Sequence, residues 1–271
     1  MLRLKEYRGR IKRTLQIMLI KDQHQQWMDQ IQQTPALVRR VAHDPQLAYR
    51  HLKTYLDTSL KTRRKLEIVS YTMQRMHDHL GEKRFEAVLE KNGILLAELP
   101  LKDDGVLTLT LIRSLFPREG EMALQLTHPE WGVLYMMSFS LAPPATLLIG
   151  GVQGPVEMGL VKHSAKQMHG LRPQNLLVSA VQACARALNI QEIRGISDRS
   201  HPRRKRLKSS YDRLWEECGG RKNGGGFTLD IHEPERDIAE VKSQRRSAFR
   251  RREALRTEMI DAITGALATT H

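Results

Sequence analysis

The feature that most limits what this chain can fold into is a change of hydrophobic period near residue 92. Before it, Leu66, Val69, Met73, Met76 and Leu80 recur at steps of three and four, which stacks them on one helix face. After it the step becomes two, and five short runs read as strands: 94–99, 106–114, 122–127, 133–141 and 146–151. The joints between them carry turn chemistry, in Asp103-Asp104-Gly105, Pro117-Arg118-Glu119-Gly120, His128-Pro129-Glu130 and Ala142-Pro143-Pro144. Short joints between consecutive strands imply an antiparallel meander.

Beyond Gly151 the pattern changes again. A short helix is predicted over 161–168, and Pro173 opens a strong one to residue 188, with Leu177, Ala180, Val181, Cys184 and Leu188 on one face. A strand at 191–197, a helix at 209–218 and a strand at 227–231 follow. A tail helix over 237–267 would pack Ala248, Leu255, Met259 and Ile263 on the core. Upstream, Pro35 and Pro45 divide a Gln-rich stretch into shorter helices with thin apolar stripes, suited to a layer packed on something else. The expectation is an α+β protein: a helical region 1–85, a core 86–235 with an antiparallel β-meander in a mixed sheet, and a basic C-terminal helix 236–271.

Charge points to the partner. Lys and Arg number 44 against 30 Asp and Glu, a formal net charge of +14, which attracts phosphates. Two runs concentrate it: Arg203, Arg204, Lys205 and Arg206, and later Arg245, Arg246, Arg250 and Arg251. Only Phe249 interleaves these runs, and no zinc-finger, helix-turn-helix or RNP-like motif accompanies them. An anionic membrane surface is therefore favoured as partner, with a nucleic-acid-binding regulator as the alternative. Two cysteines, without a CxxC pair, fit a reducing compartment. No secretory h-region opens the sequence and no apolar run reaches spanning length. The expected place is the cytoplasm, peripheral on the inner membrane. His77 and His79 flank Asp78, but residues two apart on a helix do not face each other, so no metal site is assigned there.

The stretch Ile149-Gly150-Gly151-Val152-Gln153-Gly154, followed by His169-Gly170-Leu171-Arg172-Pro173, resembles the VirK/YbjX family of bacteria. Glu119-Gly120-Glu121-Met122, Leu214-Trp215-Glu216-Glu217-Cys218-Gly219-Gly220 and the arginine-rich segment 242–252 stand in the expected order around it. The resemblance implies a link to virulence, to envelope maintenance and to antimicrobial-peptide resistance, and it carries over no catalytic residue.

The order of elements also has the outline of a GNAT-type acyltransferase, in which the last meander strand and the following helix cradle the pyrophosphate of acyl-CoA. In that reading Gly150, Gly151, Gln153, Gly154, Gly170 and Arg172 would bind a small anionic ligand such as acyl-CoA, at a helix N-terminus with unpaired N–H groups. Tyr211 would be the general acid, with Glu121 or His169 as base. The glycine-rich loop that such enzymes place directly between strand and helix is absent. Plain structural readings stand beside these. The glycines would allow a tight strand exit or bulge, His169 would cap or pack, and Arg172 would pair with a carboxylate such as Glu157. Glu119 and Glu121, two apart on a strand, would share one solvated face.

Overall fold

A computed structural model of the chain describes residues 13–90, 92–155, 157–233 and 237–268. Its N-terminal part holds α1 (Lys21–Gln33), α2 (Pro35–His43), a 3-10 segment (Leu47–Leu52) and the long α3 (Thr62–Leu89). Leu66, Val69, Met73, Met76 and Leu80 are all buried along α3, as their spacing predicts. Gly81 interrupts this helix at φ 71° and ψ 164°, with open space around the position of its missing Cβ. Conformation rather than crowding demands glycine there.

The five predicted strands form a meander of β1 (Ile94–Pro100), β2 (Val106–Arg113), β3 (Met122–His128), β4 (Gly132–Ala142) and β5 (Thr146–Gln153). Then come α4 (Met158–Gln167), α5 (Pro173–Ala187), β6 (Glu192–Ile196), α6 (Tyr211–Glu217), β7 (Arg221–Asn223), β8 (Gly226–Leu229) and α7 (Arg246–Leu267). All eight strands share one sheet in the order β1-β2-β3-β4-β5-β6-β8-β7. β5 and β6 run parallel, which requires a crossover, and α4 and α5 supply it. The sheet is therefore mixed and the fold is α+β.

Residues Met136 to Ala142 of β4 are all buried, so both faces of this strand are covered. α3 and the segment before it bring Thr72 and Tyr55 against β4, while α5 packs on β3 and β4, and α7 on α5 and β1. The largest buried cluster runs from Ile20 through the sheet to Leu267.

Two features differ from the sequence-based expectation. The tail helix begins at Arg246, because the chain before it forms 3-10 turns at Ile238–Glu240 and Ser243–Arg245. Asp237 holds the first of these by accepting the Ala239 N–H at 2.7 Å, a local bond that competes with helix. The apolar stripe of α7 consequently uses Phe249, Leu255, Met259, Ile263 and Leu267, and Ala248 is exposed. Strand β7 was not expected: its three residues are all exposed and show no period. It forms because Gly224, at φ 61°, turns it back on β8.

Candidate functional site

The segment between β2 and β3 lies across β4 and β5 and is fitted there by glycines. A Cβ on Gly120 would stand 2.6 Å from the Phe139 carbonyl oxygen. The β4–β5 register slips between Ser138 and Phe139, which leaves Gly150 as a bulge. A Cβ on Gly150 would lie 2.1 Å from the Glu119 carbonyl oxygen, and one on Gly151 2.1 Å from Glu119 Oε2. The glycine pair is thus the seat of Glu119.

Glu119 is buried there, with Oε2 accepting from Gln153 Nε2 at 2.8 Å and Oε1 3.9 Å from His201 Nε2. Burial pushes its carboxyl above the usual carboxylate range, against the pull of Gln153 and Arg203. His201 is also buried, and burial lowers its imidazole below the ordinary value. Its Nδ1 accepts the Arg203 N–H at 3.0 Å, which leaves the ring proton of the neutral form on Nε2, toward Glu119.

The parallel pairing of β5 with β6 ends at Ile149 and Gly195, although β5 continues to Gln153. Tyr211 takes up the ladder edge exposed beyond that point. Its hydroxyl accepts from the Val152 N–H at 3.0 Å and donates to the Val152 carbonyl at 3.1 Å, so a side chain stands in for the neighbouring strand. Burial raises its phenol well above the usual value. The ring stacks on His201 at 5.0 Å and on Trp215 at 6.2 Å, and Gly195 leaves room for the indole.

Glu121 faces a different set of partners. Its Oε2 accepts from Arg50 Nη1 at 2.9 Å, and its backbone N–H donates to Ser140 Oγ at 3.0 Å. Ser140 Oγ also lies 2.7 Å from the Tyr55 hydroxyl. Burial raises the Glu121 carboxyl and Arg50 pulls it back. The expectation of one solvated face for Glu119 and Glu121 is therefore wrong. Both are buried, Glu119 on β5 against Gly151, Gln153 and His201, and Glu121 against Arg50 of the N-terminal helical layer.

Beside Glu119 and His201 the surface sinks into a depression of about 380 Å³, lined by Arg118, Pro202, Arg203, Arg204, Lys205 and Arg206. Arg204–Arg206 is a 3-10 turn, closed by Arg204 N–H to the His201 carbonyl (3.1 Å) and Arg206 N–H to that of Arg203 (2.7 Å). The opposite wall is fixed through the Arg118 carbonyl, which accepts the Leu56 N–H at 2.8 Å. Among the described residues none of these five cations has a carboxylate within 4.0 Å. Several arginines elsewhere are paired with carboxylates, among them Arg39, Arg50, Arg64, Arg172 and Arg221.

The residues singled out in the sequence are only partly brought together. Gly150, Gly151 and Gln153 surround Glu119, whereas Gly154 packs against the Tyr135 ring, 2.5 Å from where its Cβ would be. His169, at φ 57°, has its imidazole lowered by burial and by Lys102, Arg251 and Arg252. Gly170 sits by Arg252. Arg172 is exposed and pairs with Glu217 Oε2 of α6 at 2.9 Å, not with Glu157. Among the described residues Gly151 and Gln153 meet at Glu119, whereas His169 stands near Lys102, Arg251 and Arg252, and Arg172 at Glu217. Glu121, His169 and Tyr211 do not converge either: the first bonds Arg50, the third Val152, and the second stands beside α7. The second basic run is not part of the depression; Arg245, Arg246, Arg250 and Arg251 are exposed at the start of α7. His77 and His79 part, His77 Nε2 lying 3.0 Å from Glu82 and His79 Nε2 2.8 Å from the Leu267 carbonyl. Sequence reasoning missed Arg118, whose only signal was a basic residue inside a turn.

Fold and site together define an α+β protein with a mixed eight-stranded sheet and a cationic depression beside Glu119 and His201, unpaired among the described residues. The chain belongs to the family described as "Protein of unknown function (DUF535)", whose model matches residues 3–267. It is 26% identical to the uncharacterized protein YbjX of Escherichia coli over 260 residues, covering 90% of this chain and 78% of that one. An uncharacterized protein of Haemophilus influenzae is 26% identical over 218 residues, 78% of this chain and 72% of its own. A segment of 84 residues is 40% identical to membrane protein LapB of Mannheimia haemolytica, 30% of this chain and 37% of the relative. The VirK/YbjX-type resemblance stands on these matches. No solved structure matches. Among the described residues no helix is long and apolar enough to cross a membrane.

Proposed function

We propose that this protein binds anionic membrane surfaces peripherally, on the cytoplasmic side of the inner membrane, and serves envelope maintenance there. The observation that carries the reading is the depression lined by five cations with no carboxylate within 4.0 Å among the described residues. Four of them are arginines, whose planar guanidinium forks bind phosphate oxygens two at a time. The loop that brings Arg118 leaves Leu115 half exposed, an apolar residue next to a cation, as interfacial binding favours. The name of the LapB relative, a membrane protein, supports the same setting. Roles in virulence and peptide resistance would follow from such a place at the envelope.

Sedimentation with vesicles tests this. The protein should pellet with phosphatidylglycerol vesicles and not with phosphatidylcholine vesicles. Binding should fall steeply with salt, since attraction is screened beyond about 10 Å at 0.1 M. Excess RNA or DNA should fail to displace it. Efficient displacement at low nucleic-acid concentration would favour the regulator reading instead.

Acyl transfer from acyl-CoA is a second reading, favoured by the parallel β5–β6 pair that parts beyond Ile149, with β8 inserted between β6 and β7. Against it stands Tyr211, which already occupies the ladder edge of Val152. Fold likeness alone does not carry chemistry. Acyl-CoA retained by the purified protein, and lost on Gly151→Val, would revive it.

A further inference from the structure

On the anion-binding reading just proposed, we infer that the depression is a pocket for a group bearing two phosphates, a diphosphate or a pair of phosphomonoesters, and not merely a charged face.

The first ground is charge matching. Five cations line one space of about 380 Å³ without a neutralising carboxylate within 4.0 Å among the described residues. A phosphodiester brings a single negative charge and leaves most of them unmatched. Each phosphomonoester carries about −1.5 to −2 near pH 7, so two phosphates approach the charge of the lining.

Geometry is the second ground. A 3-10 turn has about three residues per turn, so Arg203 and Arg206 fall on the same side of it. Arg118 approaches from the separate β2–β3 segment. Two arginines on one wall and a third on the other suit two tetrahedral groups side by side better than one. The space also lies within the ordinary range for a small-molecule pocket, about 300–1,000 Å³.

The third ground is that the walls are held before any ligand arrives. Pro202 restricts the backbone, and the buried His201 fixes Arg203 N–H. Thr58 N–H donates to the Ser200 carbonyl at 2.9 Å, and Leu56 N–H to that of Arg118 at 2.8 Å, so both walls are tied to the same stretch of chain. Pre-set donors lose less freedom on binding than a mobile basic tail does.

Calorimetric titration of the full chain with inorganic diphosphate and with orthophosphate, at one pH and ionic strength, tests the inference. Diphosphate should bind at least about tenfold more tightly, the worth of one added charge-assisted bond. Arg118→Ser and Arg203→Ser, on opposite walls, should each weaken diphosphate by about tenfold. Arg250→Ser should leave it unchanged. Equal affinity for the two anions, or diphosphate binding that survives both wall substitutions, overturns the inference. Arg118→Ser is decisive if Arg203→Ser disturbs the 3-10 turn, since Arg118 is exposed on another loop.

The source of the phosphates is read in a second arm. Vesicles whose lipid headgroup carries phosphomonoesters are compared with diester lipid at equal surface charge. A preference for the phosphomonoester surface assigns the pocket to a lipid headgroup. Tight diphosphate binding without that preference supports the pocket with a soluble diphosphate. Vesicle binding without any diphosphate binding overturns the pocket and leaves the peripheral reading intact. Diphosphate binding by a protein that ignores vesicles does the reverse.

Discussion

Arg118 and Glu121 share one short segment yet belong to opposite kinds of charge cluster. Around Glu121 the cations Arg40, Arg50 and Arg113 meet Asp44 and Glu121 itself about a space of about 20 Å³, room for little more than one water. Around Arg118 five cations meet no carboxylate within 4.0 Å among the described residues, about a space of about 380 Å³. The first cluster sets two carboxylates among its three cations and is closed, so most of its buried charge is paired. The second is unbalanced among the described residues and open, which leaves it free to take its counter-charge from an anionic ligand. Arginine content alone would not have separated the two.

The largest expected effect tests the closed cluster. Arg50→Ala leaves Glu121 buried without its cation and should cost about 3–5 kcal/mol in urea unfolding. Arg203→Ala, at an exposed position, should change stability by less than about 0.5 kcal/mol. Similar costs for both would erase the distinction between the clusters.

A pH series sharpens it next, through His51 beside Arg50. His51 is buried with neither ring nitrogen partnered among the described residues, and burial, helped by His24 and Lys65, lowers its pKa from 6.5 to about 4. In that window the unfolded chain binds the proton and the folded chain does not. Stability from this group is therefore full above 6.5 and is lost as pH falls toward about 4. Glu119 and Glu121, with raised values, act in the opposite direction: their protonation on acidification favours the folded state. Melting of wild type and His51→Leu at about pH 7 and about pH 5 separates the two. The variant should lose less stability on acidification. An equal loss would mean that His51 is not held neutral.

The smallest effect belongs to the rim of the open cluster. Leu115→Ser should weaken binding to anionic vesicles by about fivefold, as expected for half-burying one leucine, and leave the melting temperature unchanged. An unchanged affinity would exclude this loop from the bilayer.

Much of the fold was legible because its signals are local. Period two and the turn residues marked β1 to β5, and Pro173 with its apolar stripe marked α5. β7 was hidden because three exposed polar residues become a strand only through their partner β8. The start of α7 was hidden because the bond from Ala239 N–H to Asp237 decides it against intrinsic preference. At the site, Gly150 and Gly151 could be recognised as special, but not that Glu119 fills the space they leave. Arg50 and Glu121 lie 71 residues apart in sequence, and no local pattern announces the pair. Arg118 likewise joins the run Arg203–Arg206 only through the fold.

The most direct test of the account removes equal charge from two places. Arg203, Arg204, Lys205 and Arg206 are replaced by Ser in one variant, and Arg245, Arg246, Arg250 and Arg251 in another. Net charge falls equally in both, so any difference reports location. Each cation near an anionic surface contributes about 1 kcal/mol. With four lost from the depression, affinity for phosphatidylglycerol vesicles should drop by at least about a hundredfold. The α7 variant should lose less than about tenfold. Equal losses would contradict the account, because the protein would then meet its partner through diffuse charge and not through the depression between Arg118 and the 3-10 turn.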